Sequence, residues 1–380
     1  MARKRTIEAS ATTPMTVTEE SLARLAASGV DAALFSRTLT DWQKTHGRQH
    51  LAWQVTDPYR RWLSEIMLQQ TQVAVVEDYF TRFVRRFPTL EDLAKADEDA
   101  VMELWQGLGY YRRARHLHAA ARKIVDDFGG VFPTTPEALA ELPGVGLSTA
   151  NAIASFCFGV CAPVVDGNVM RLLARVLNLP FEVDDTQGTK ALWHAARFLM
   201  QTDEPGVYNQ AVMDLGATVC TRTSPACDAC PLRAMCAACA AGTALERPVK
   251  RVRRAKRART MVLALLTDGE RTLFVRRGET DIWPALWCLP EIEESLAAAH
   301  FHTVAQFTHE LTHIKLTVRV VVPNKPDFMR AFCKKPDAPE KGPEGAPRRW
   351  VLVGERAQLA LPAPVRRTLE ELEAGLFKRV

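Results

Sequence analysis

The chain has 380 residues, of which 47% are hydrophobic and 24% are charged. This composition is ordinary for a globular protein, so it excludes disordered and collagen-like classes. At about 150 residues per domain, the length predicts two or three domains. The longest stretch without a charged residue, 142–165, contains prolines and glycines and cannot form one continuous apolar helix. We therefore expect no membrane span.

The N-terminus and the cysteine content indicate the cellular compartment. The first ten residues are basic, but no apolar segment follows them, which argues against a secretion signal. Nine cysteines in such a chain indicate a reducing compartment, where clustered thiols are more often metal ligands than disulfides. We expect a cytoplasmic protein if the source is bacterial.

Positive charge is concentrated in one segment. Residues 244–260 contain eight lysines and arginines but only one acidic residue, whereas the whole chain has a net charge of +5. Such a block is either a solvated linker or a surface that binds a polyanion, and composition does not decide between them.

The region 36–240 has the pattern of a helical protein. Apolar side chains recur at three- and four-residue steps within 62–70 and 117–128. Short segments rich in proline and glycine separate these runs and mark helix ends. The preceding residues, 1–35, are polar and irregular and predict a disordered tail.

The pattern changes after the basic linker, 241–259. Runs of β-branched and apolar residues replace the helical spacing, so we expect a small α+β domain over 260–380. The elements predicted there are a hairpin (260–266 and 272–275, joined by Asp268-Gly269), a strand (314–322), a proline-rich loop (323–349) and a final amphipathic helix (364–376).

Four cysteines, Cys220, Cys227, Cys230 and Cys236, form a C-x6-C-x2-C-x5-C pattern. Four thiolates this close in sequence can converge on one metal centre. Zinc ribbons usually pair two C-x2-C units, and only one is present in this pattern. The spacing resembles the [4Fe–4S] loop of helix-hairpin-helix DNA glycosylases. Zinc binding and unrelated structural cysteines are the alternatives, and Cys239 is interpreted as a spare thiol.

The segment Leu142-Pro143-Gly144-Val145-Gly146 lies between two helical runs. A turn of this kind directs backbone N–H groups outward from a helix start and binds a phosphate without sequence preference. Its alternative role is a simple helix connector. The predicted contacts with a DNA phosphate are Gly144, Val145, Gly146 and Ser148. Further along, Asp166 begins the sequence Asp-Gly-Asn, which suits a helix N-cap.

Three longer segments narrow the resemblance. Trp62–Val73, Gly107–Arg115 and Tyr208–Cys220 are similar to the MutY-type adenine DNA glycosylases, and the likeness extends from about Asp41 to Leu361. The resemblance implies base excision repair of adenine mispaired with 8-oxoguanine or guanine in double-stranded DNA. It also implies a monomer, associated with the nucleoid if the source is bacterial. It also implies one [4Fe–4S] cluster, bound by the cluster loop 220–236.

The fold that this resemblance implies is multidomain. The all-α helix-hairpin-helix glycosylase region consists of a six-helix barrel plus an iron–sulfur domain with a [4Fe–4S] loop. A small α+β Nudix-like domain follows and recognises 8-oxoguanine.

Two carboxylates would divide the cleavage of the adenine N-glycosidic bond. By resemblance, Glu65 protonates N7 of the departing base and later activates water. Its apolar neighbours Trp62 and Ile66 favour the neutral carboxyl. Asp166 would stay ionised and stabilise the sugar cation or form a transient adduct. The alternative interpretations are a solvated helix residue for Glu65 and a helix cap for Asp166.

The resemblance also assigns residues that bind DNA. Because the target base must leave the stack, Gln70 and Tyr110 would enter the duplex in its place. The adenine-pocket residues that it implies are Trp53, Gln54, Leu68 and Gln210.

Ser148 and the C-terminal domain limit the expected chemistry. In endonuclease III-like relatives, the position of Ser148 is a lysine that cleaves the strand through a Schiff base. Serine cannot do this, so we expect a monofunctional glycosylase. The C-terminal domain lacks the acidic box of a Nudix hydrolase, so we expect no pyrophosphate hydrolysis.

Thr312 and His313 are the residues that the resemblance assigns to 8-oxoguanine recognition. They follow Leu311, where the family has phenylalanine, and a plain β-turn is the alternative. Two other functions remain open from the sequence. One is a bifunctional endonuclease III-like glycosylase and AP lyase, and the other is a non-catalytic DNA-binding protein.

Overall fold

The computed structural model describes residues 29–251, 255–325 and 347–375. The chain separates into two compact units that alternate along the sequence. The first unit takes its described residues from 1–61, 134–140 and 146–252. The second unit takes them from 62–133, 141–145 and 253–380. Within the described ranges, no helix combines the length and apolar character needed to cross a membrane.

Helices form most of the chain before residue 241. In chain order they are α1 (Ala32–His46), α2 (Pro58–Leu68), α3 (Val73–Arg86), α4 (Leu90–Lys95), α5 (Glu98–Trp105), α6 (Arg112–Phe128), α7 (Pro136–Ala140), α8 (Leu147–Phe158), α9 (Gly167–Val176), α10 (Thr186–Leu199), α11 (Pro205–Thr218) and α12 (Ala237–Ala240). Helix α1 begins inside the segment 1–35 that the sequence predicts to be a tail, and residues 1–28 of that segment lie outside the described ranges.

Short polar side chains begin several of these helices. Asp31 accepts a hydrogen bond from the Leu34 N–H at the start of α1. Thr89 forms a reciprocal capping box with Asp92 in α4. Because the first N–H groups of a helix lack intrahelical acceptors, these side chains fix where each helix starts.

The core of the first unit forms where α1, α9, α10 and α11 pack together. Phe35, Leu173 and Leu215 are among its buried side chains, and Cys220 and Leu232 belong to the same core. The cluster loop 220–236 is therefore anchored at Cys220 and Leu232 to the helical core.

Aromatic packing supports the helical part of the second unit. Trp62 meets Phe132 edge to face at 5.6 Å between ring centroids, and Phe83 meets Trp105 in the same manner at 6.2 Å. The first pair joins α2 to the segment after α6, and the second joins α3 to α5. Aromatic pairs of this kind prefer edge-to-face geometry.

Strands and two further helices complete the second unit. They are β1 (Arg257–Ala264), β2 (Arg271–Arg276), β3 (Trp287–Cys288), α13 (Glu294–His300), β4 (Phe301–Glu310), β5 (Ile314–Pro323), β6 (Arg348–Leu352) and α14 (Ala363–Glu373). One sheet has the order β1-β5-β4 and the other has the order β3-β2-β6. The predicted strand and final helix correspond to β5 and α14. Most of the predicted loop 323–349 lies outside the described residues.

The predicted hairpin forms only at its turn. Thr267 and Thr272 make an isolated antiparallel bridge, but β1 pairs in parallel with β5, and β2 pairs with β3 and β6. The physical reason lies in β1, whose residues 261–264 are all buried. A strand covered on both faces suits parallel pairing. β1 also begins at Arg257, inside the segment predicted to be linker.

Side-chain bonds join the helices and strands within the second unit. The Gln106 amide donates to the Leu359 and Leu361 carbonyl oxygens at 3.1 and 3.2 Å. Arg276 forms an ion pair with Glu98 at 3.0 Å. These bonds attach the segment near α5 to the segment before α14 and to β2.

Candidate active site

The two predicted insertion residues share an unusual backbone conformation. Gln70 follows α2 with φ of 59°, and Tyr110 precedes α6 with φ of 48°. Residues other than glycine rarely adopt this left-handed backbone conformation. Gln70 is exposed, and Tyr110 is 49% exposed. Both residues therefore present large side chains to solvent from a constrained backbone.

A cleft of about 740 Å³ in the second unit contains both insertion residues. Its other lining residues include Gly144, Trp283, Thr312 and His313. The structure thus brings the predicted insertion residues together with the predicted lesion-recognition residues.

Thr312 and His313 lie at the tip of the connection between β4 and β5. Both are exposed, and the Leu311 N–H donates to the Ile314 carbonyl oxygen at 2.9 Å, which closes a tight turn. The two residues therefore lie in a turn, and their role in 8-oxoguanine recognition stays a prediction. The same turn lines the cleft, so it can also present a hydroxyl and an imidazole to a ligand.

The backbone of the predicted phosphate-binding turn requires glycine at Gly144. Gly144 has φ of +77°, and a Cβ at this position would lie 2.7 Å from the His116 Cβ. The Val145 side chain is buried, and its N–H donates to the Leu142 carbonyl oxygen at 3.1 Å, so a phosphate contact at Val145 stays a prediction. Gly146 is the N-cap residue of α8, where N–H groups point outward. The Ser148 hydroxyl accepts a hydrogen bond from the Val165 N–H at 3.2 Å.

Glu65 lies near the end of α2, between the buried residues Ser64 and Ile66. Its side chain is only 9% exposed, so the interpretation as a solvated helix residue is wrong. Leu68, one of the predicted pocket residues, lies three residues further along the same helix and is half-buried.

Asp166 caps α9, as its sequence context predicts. Its carboxylate accepts hydrogen bonds from the N–H groups of Asn168 and Val169 at 2.9 and 2.7 Å. Burial raises the pKa of Asp166, while these two N–H groups, the Asn168 amide and the Arg171 charge oppose that rise. Arg171 also donates to the Cys220 carbonyl oxygen at 2.8 Å, so a chain of polar contacts runs from the carboxylate to the cluster loop.

Arg61 connects two of the predicted adenine-pocket residues. Its guanidinium donates to the Trp53 carbonyl oxygen at 3.3 Å and to the Gln210 side-chain oxygen at 2.8 Å. The neighbouring Gln54 has a buried side-chain nitrogen without a hydrogen-bond partner in the described part of the chain. A buried amide without an acceptor is costly, so this nitrogen is suited to bind a polar ligand.

The four predicted cluster cysteines and Cys239 line one cavity of the first unit. Burial raises the pKa of Cys230 to about 11, which opposes the deprotonation that ligation requires. The described residues contain no group of three or more histidine, cysteine or acidic side chains that is already arranged as a metal site.

A buried arginine supplies positive charge beside this cavity. Arg175 donates to the Cys220 Sγ at 3.2 Å and to the Thr221 carbonyl oxygen at 2.7 Å. A guanidinium stabilises a neighbouring thiolate. Clustered thiols with such a partner fit the donor set that holds a [4Fe–4S] cluster.

Arg113 is a site residue that the sequence did not identify. It is 7% exposed on α6 and donates to backbone oxygens beside both insertion residues. Burial lowers its pKa to about 10, so it remains charged at neutral pH. The sequence feature that could have identified Arg113 is its position three residues after Tyr110 in the motif Gly107–Arg115. That spacing does not reveal which oxygen atoms accept its hydrogen bonds.

Two family models and a solved structure match parts of this chain. The model of the HhH-GPD superfamily of base excision DNA repair proteins matches residues 63–196, and a NUDIX domain model matches 261–371. A solved thermostable thymine-DNA glycosylase is 27% identical with a TM-score of 0.50, covering 55% of this chain and 97% of that one. These matches place the chain among helix-hairpin-helix base excision repair proteins and confirm the predicted fold class.

Curated relatives define the family further. The adenine DNA glycosylase of Buchnera aphidicola subsp. Baizongia pistaciae is 31% identical over 76% of this chain and 85% of its own length. The human adenine DNA glycosylase is 49% identical, and the match covers 47% of this chain and 33% of the human protein. The chain belongs to the adenine DNA glycosylase family, as the sequence resemblance predicts.

The substitution Gly144→Ala tests the phosphate-binding turn. We expect it to weaken binding to undamaged duplex DNA and to lower the melting temperature, because the added methyl group meets His116. The matched control is Gly159→Ala, since Gly159 also has a positive φ but has open space where a Cβ would lie. Binding is measured by fluorescence anisotropy, and equal effects of both substitutions would contradict the steric explanation.

Proposed function

We propose that this protein removes adenine mispaired with 8-oxoguanine or guanine by acid-assisted hydrolysis of the N-glycosidic bond. The observation that carries the proposal is the burial of Glu65 on α2, the helix that leads directly into the insertion residue Gln70. A buried carboxyl in this position suits general acid catalysis on a base that has left the duplex.

The proposed chemistry assigns different protonation states to the two carboxyl groups. Glu65 would donate a proton to N7 of adenine and then accept one from the attacking water. Asp166 would remain ionised and stabilise the positive charge that develops on the sugar. The N–H donors at 2.7 and 2.9 Å support that assignment, because they stabilise the charged carboxylate.

The expected adenine pocket contains Trp53, Gln54, Leu68 and Gln210. Gln54 supports this part of the proposal most directly, since its buried side-chain nitrogen lacks an acceptor within the described residues. An adenine ring nitrogen could accept this hydrogen bond. Arg61 would hold the backbone of Trp53 and the side chain of Gln210 in place around the base.

The opposite base would occupy the cleft of the second unit. Gln70 and Tyr110 would enter the duplex there, and Tyr110 would stack beside 8-oxoguanine. Thr312 and His313 would provide the hydrogen bonds that distinguish the oxidised base from guanine. The exposed turn that carries them supports this role, because it lines the same cleft as both insertion residues.

We further propose that Cys220, Cys227, Cys230 and Cys236 hold one [4Fe–4S] cluster. When bound, the cluster would supply structural order to the cluster loop 220–236. Arg175 would stabilise the ligating form of Cys220 through its guanidinium, and Arg171 would hold the Cys220 backbone.

Single-turnover release of adenine from a duplex with one A:8-oxoguanine pair tests the proposed activity. We expect strand breaks only after treatment with hot alkali, because Ser148 cannot form the Schiff base of a lyase. We expect no release by Glu65→Gln, whose amide cannot donate the catalytic proton at the required rate.

Other outcomes of this assay would reject parts of the proposal. Breaks without alkali would show a bifunctional lyase. No release by the cluster-containing wild-type protein would favour a DNA-binding protein without catalytic activity, and full activity of Glu65→Gln would exclude Glu65 as the acid.

The pH dependence of adenine release tests Asp166. Because burial raises the pKa of Asp166 and catalysis needs its ionised form, we expect the rate to fall with decreasing pH at a value above 3.8, the ordinary pKa of this group. The Asn168 amide lowers the pKa of Asp166, so Asn168→Ala should move the acid limb of the single-turnover profile to higher pH. An acid limb that stays in place would contradict this contribution.

Iron content tests the assignment of cluster ligands. We expect serine at Cys220, Cys227, Cys230 or Cys236 to lower the bound iron and the visible absorption of the protein. Cys239→Ser is the matched control, because Cys239 lines the same cavity but lies outside the four-cysteine pattern. Equal loss of iron in Cys239→Ser would show that Cys239 is also a ligand. Bound zinc in the wild-type protein would reject the iron–sulfur assignment.

A further inference from the structure

The segments that carry the two insertion residues need a group that holds their backbone. Gln70 and Tyr110 both have left-handed backbone angles, which residues with a Cβ adopt only when surrounding contacts impose them. Both segments belong to the second unit, one after α2 and the other before α6.

One end of the Arg113 guanidinium holds the segment before Gln70. Its Nη1 donates to the carbonyl oxygens of Ile66 at 3.0 Å, Met67 at 2.7 Å and Gln69 at 2.5 Å. Two of these carbonyls belong to the last turn of α2, where backbone oxygens lack intrahelical donors. A cation at this position also complements the negative end of the helix dipole.

The other end of the guanidinium reaches both segments. Its Nη2 donates to Thr71 Oγ1 at 3.0 Å, and to the carbonyl oxygens of Leu108 at 3.3 Å and Gly109 at 3.2 Å. The centre of the guanidinium lies 5.4 Å from the centroid of the Tyr110 ring. Arg113 therefore bonds to residues on both sides of Gln70 and to the two residues that precede Tyr110.

The shape of the arginine side chain is essential to this arrangement. A guanidinium is planar and directs its donors in a fixed fork, so its two ends can bind two segments at a fixed separation. A lysine ammonium offers three donors at one point and cannot reproduce the six contacts. All six acceptors belong to the protein, so the contacts that hold these segments do not involve DNA.

We propose that Arg113 is a positioning residue that couples the two insertion segments and holds Gln70 and Tyr110 ready to enter the duplex. This inference rests on the proposed function, since it concerns how that reaction begins. A preorganised pair of insertion residues lowers the cost of extruding the target base. Arg113 thus acts on extrusion and not on the chemical step.

A purely structural role would predict a different result. Loss of general stability lowers activity on every substrate, whereas loss of positioning matters most where extrusion is difficult. Two duplexes separate these roles. Both contain the same A:8-oxoguanine pair, flanked by G·C pairs in one and by destabilising mismatches in the other.

Arg122 provides a matched control on the same helix. It donates to the carbonyl oxygens of Ala94 at 3.2 Å and Ala96 at 3.3 Å, and it does not line the cleft. Arg122→Met therefore removes arginine-to-backbone bonds from α6 without touching the insertion segments. Arg113→Lys keeps the charge and is the milder variant if Arg113→Met folds poorly.

The experiment measures single-turnover adenine release by the full-length protein, at a protein concentration that saturates the duplex. On the G·C-flanked duplex, we expect Arg113→Met and Arg113→Lys to lose on the order of a hundredfold in rate. On the mismatch-flanked duplex, the loss should be about tenfold or less. Arg122→Met should show the same ratio between the two duplexes as the wild-type protein.

Equal losses on both duplexes, or no loss on either, would overturn the inference. An inactive wild-type protein would instead reject the proposed function. In that case 2-aminopurine at the target position reports extrusion without chemistry. Its fluorescence should rise on binding to the wild-type protein and not to Arg113→Met, and the absence of this difference would also overturn the inference.

Discussion

The buried guanidinium of Arg113 contacts three parts of the second unit that are separate in sequence but adjacent in the site. It binds the last turn of α2, the segment after that helix and the segment before α6. The carboxyl of Glu65 belongs to that same helix, so one side chain fixes the backbone next to both the proposed acid and the insertion residues. Without it, the five carbonyl oxygens that it contacts would have no common partner beside the two residues with left-handed backbone angles.

Buried arginines play a similar part in the first unit. Arg61 donates to the backbone of Trp53 and to Gln210, and Arg175 donates to the backbone and sulfur of the cluster loop. A guanidinium can satisfy several carbonyl oxygens at once, so it can hold irregular segments that cannot be held by helical hydrogen bonds. The proposed reaction uses such segments, since Gln70 and Tyr110 both lie between helices.

Short sequence patterns predicted the features that depend on residues close together in the chain. The Asp166 cap, strand β5 and helix α14 follow from short patterns, and the burial of Glu65 follows from its apolar flanks. The pairing of β1 with β5 joins residues more than fifty positions apart, which no turn signal encodes. The acceptors of Arg113 were equally hidden, since a charged residue in a helical pattern normally indicates a solvated face.

The crystal structure of the protein on a duplex with a cleavage-resistant adenosine analogue opposite 8-oxoguanine tests this account most directly. We predict Gln70 and Tyr110 inside the duplex with the Arg113 contacts unchanged, and the adenine extruded to both Glu65 and Asp166. We also predict 8-oxoguanine beside Thr312. A stacked adenine in a bound duplex, or insertion segments that have left Arg113, would contradict the account.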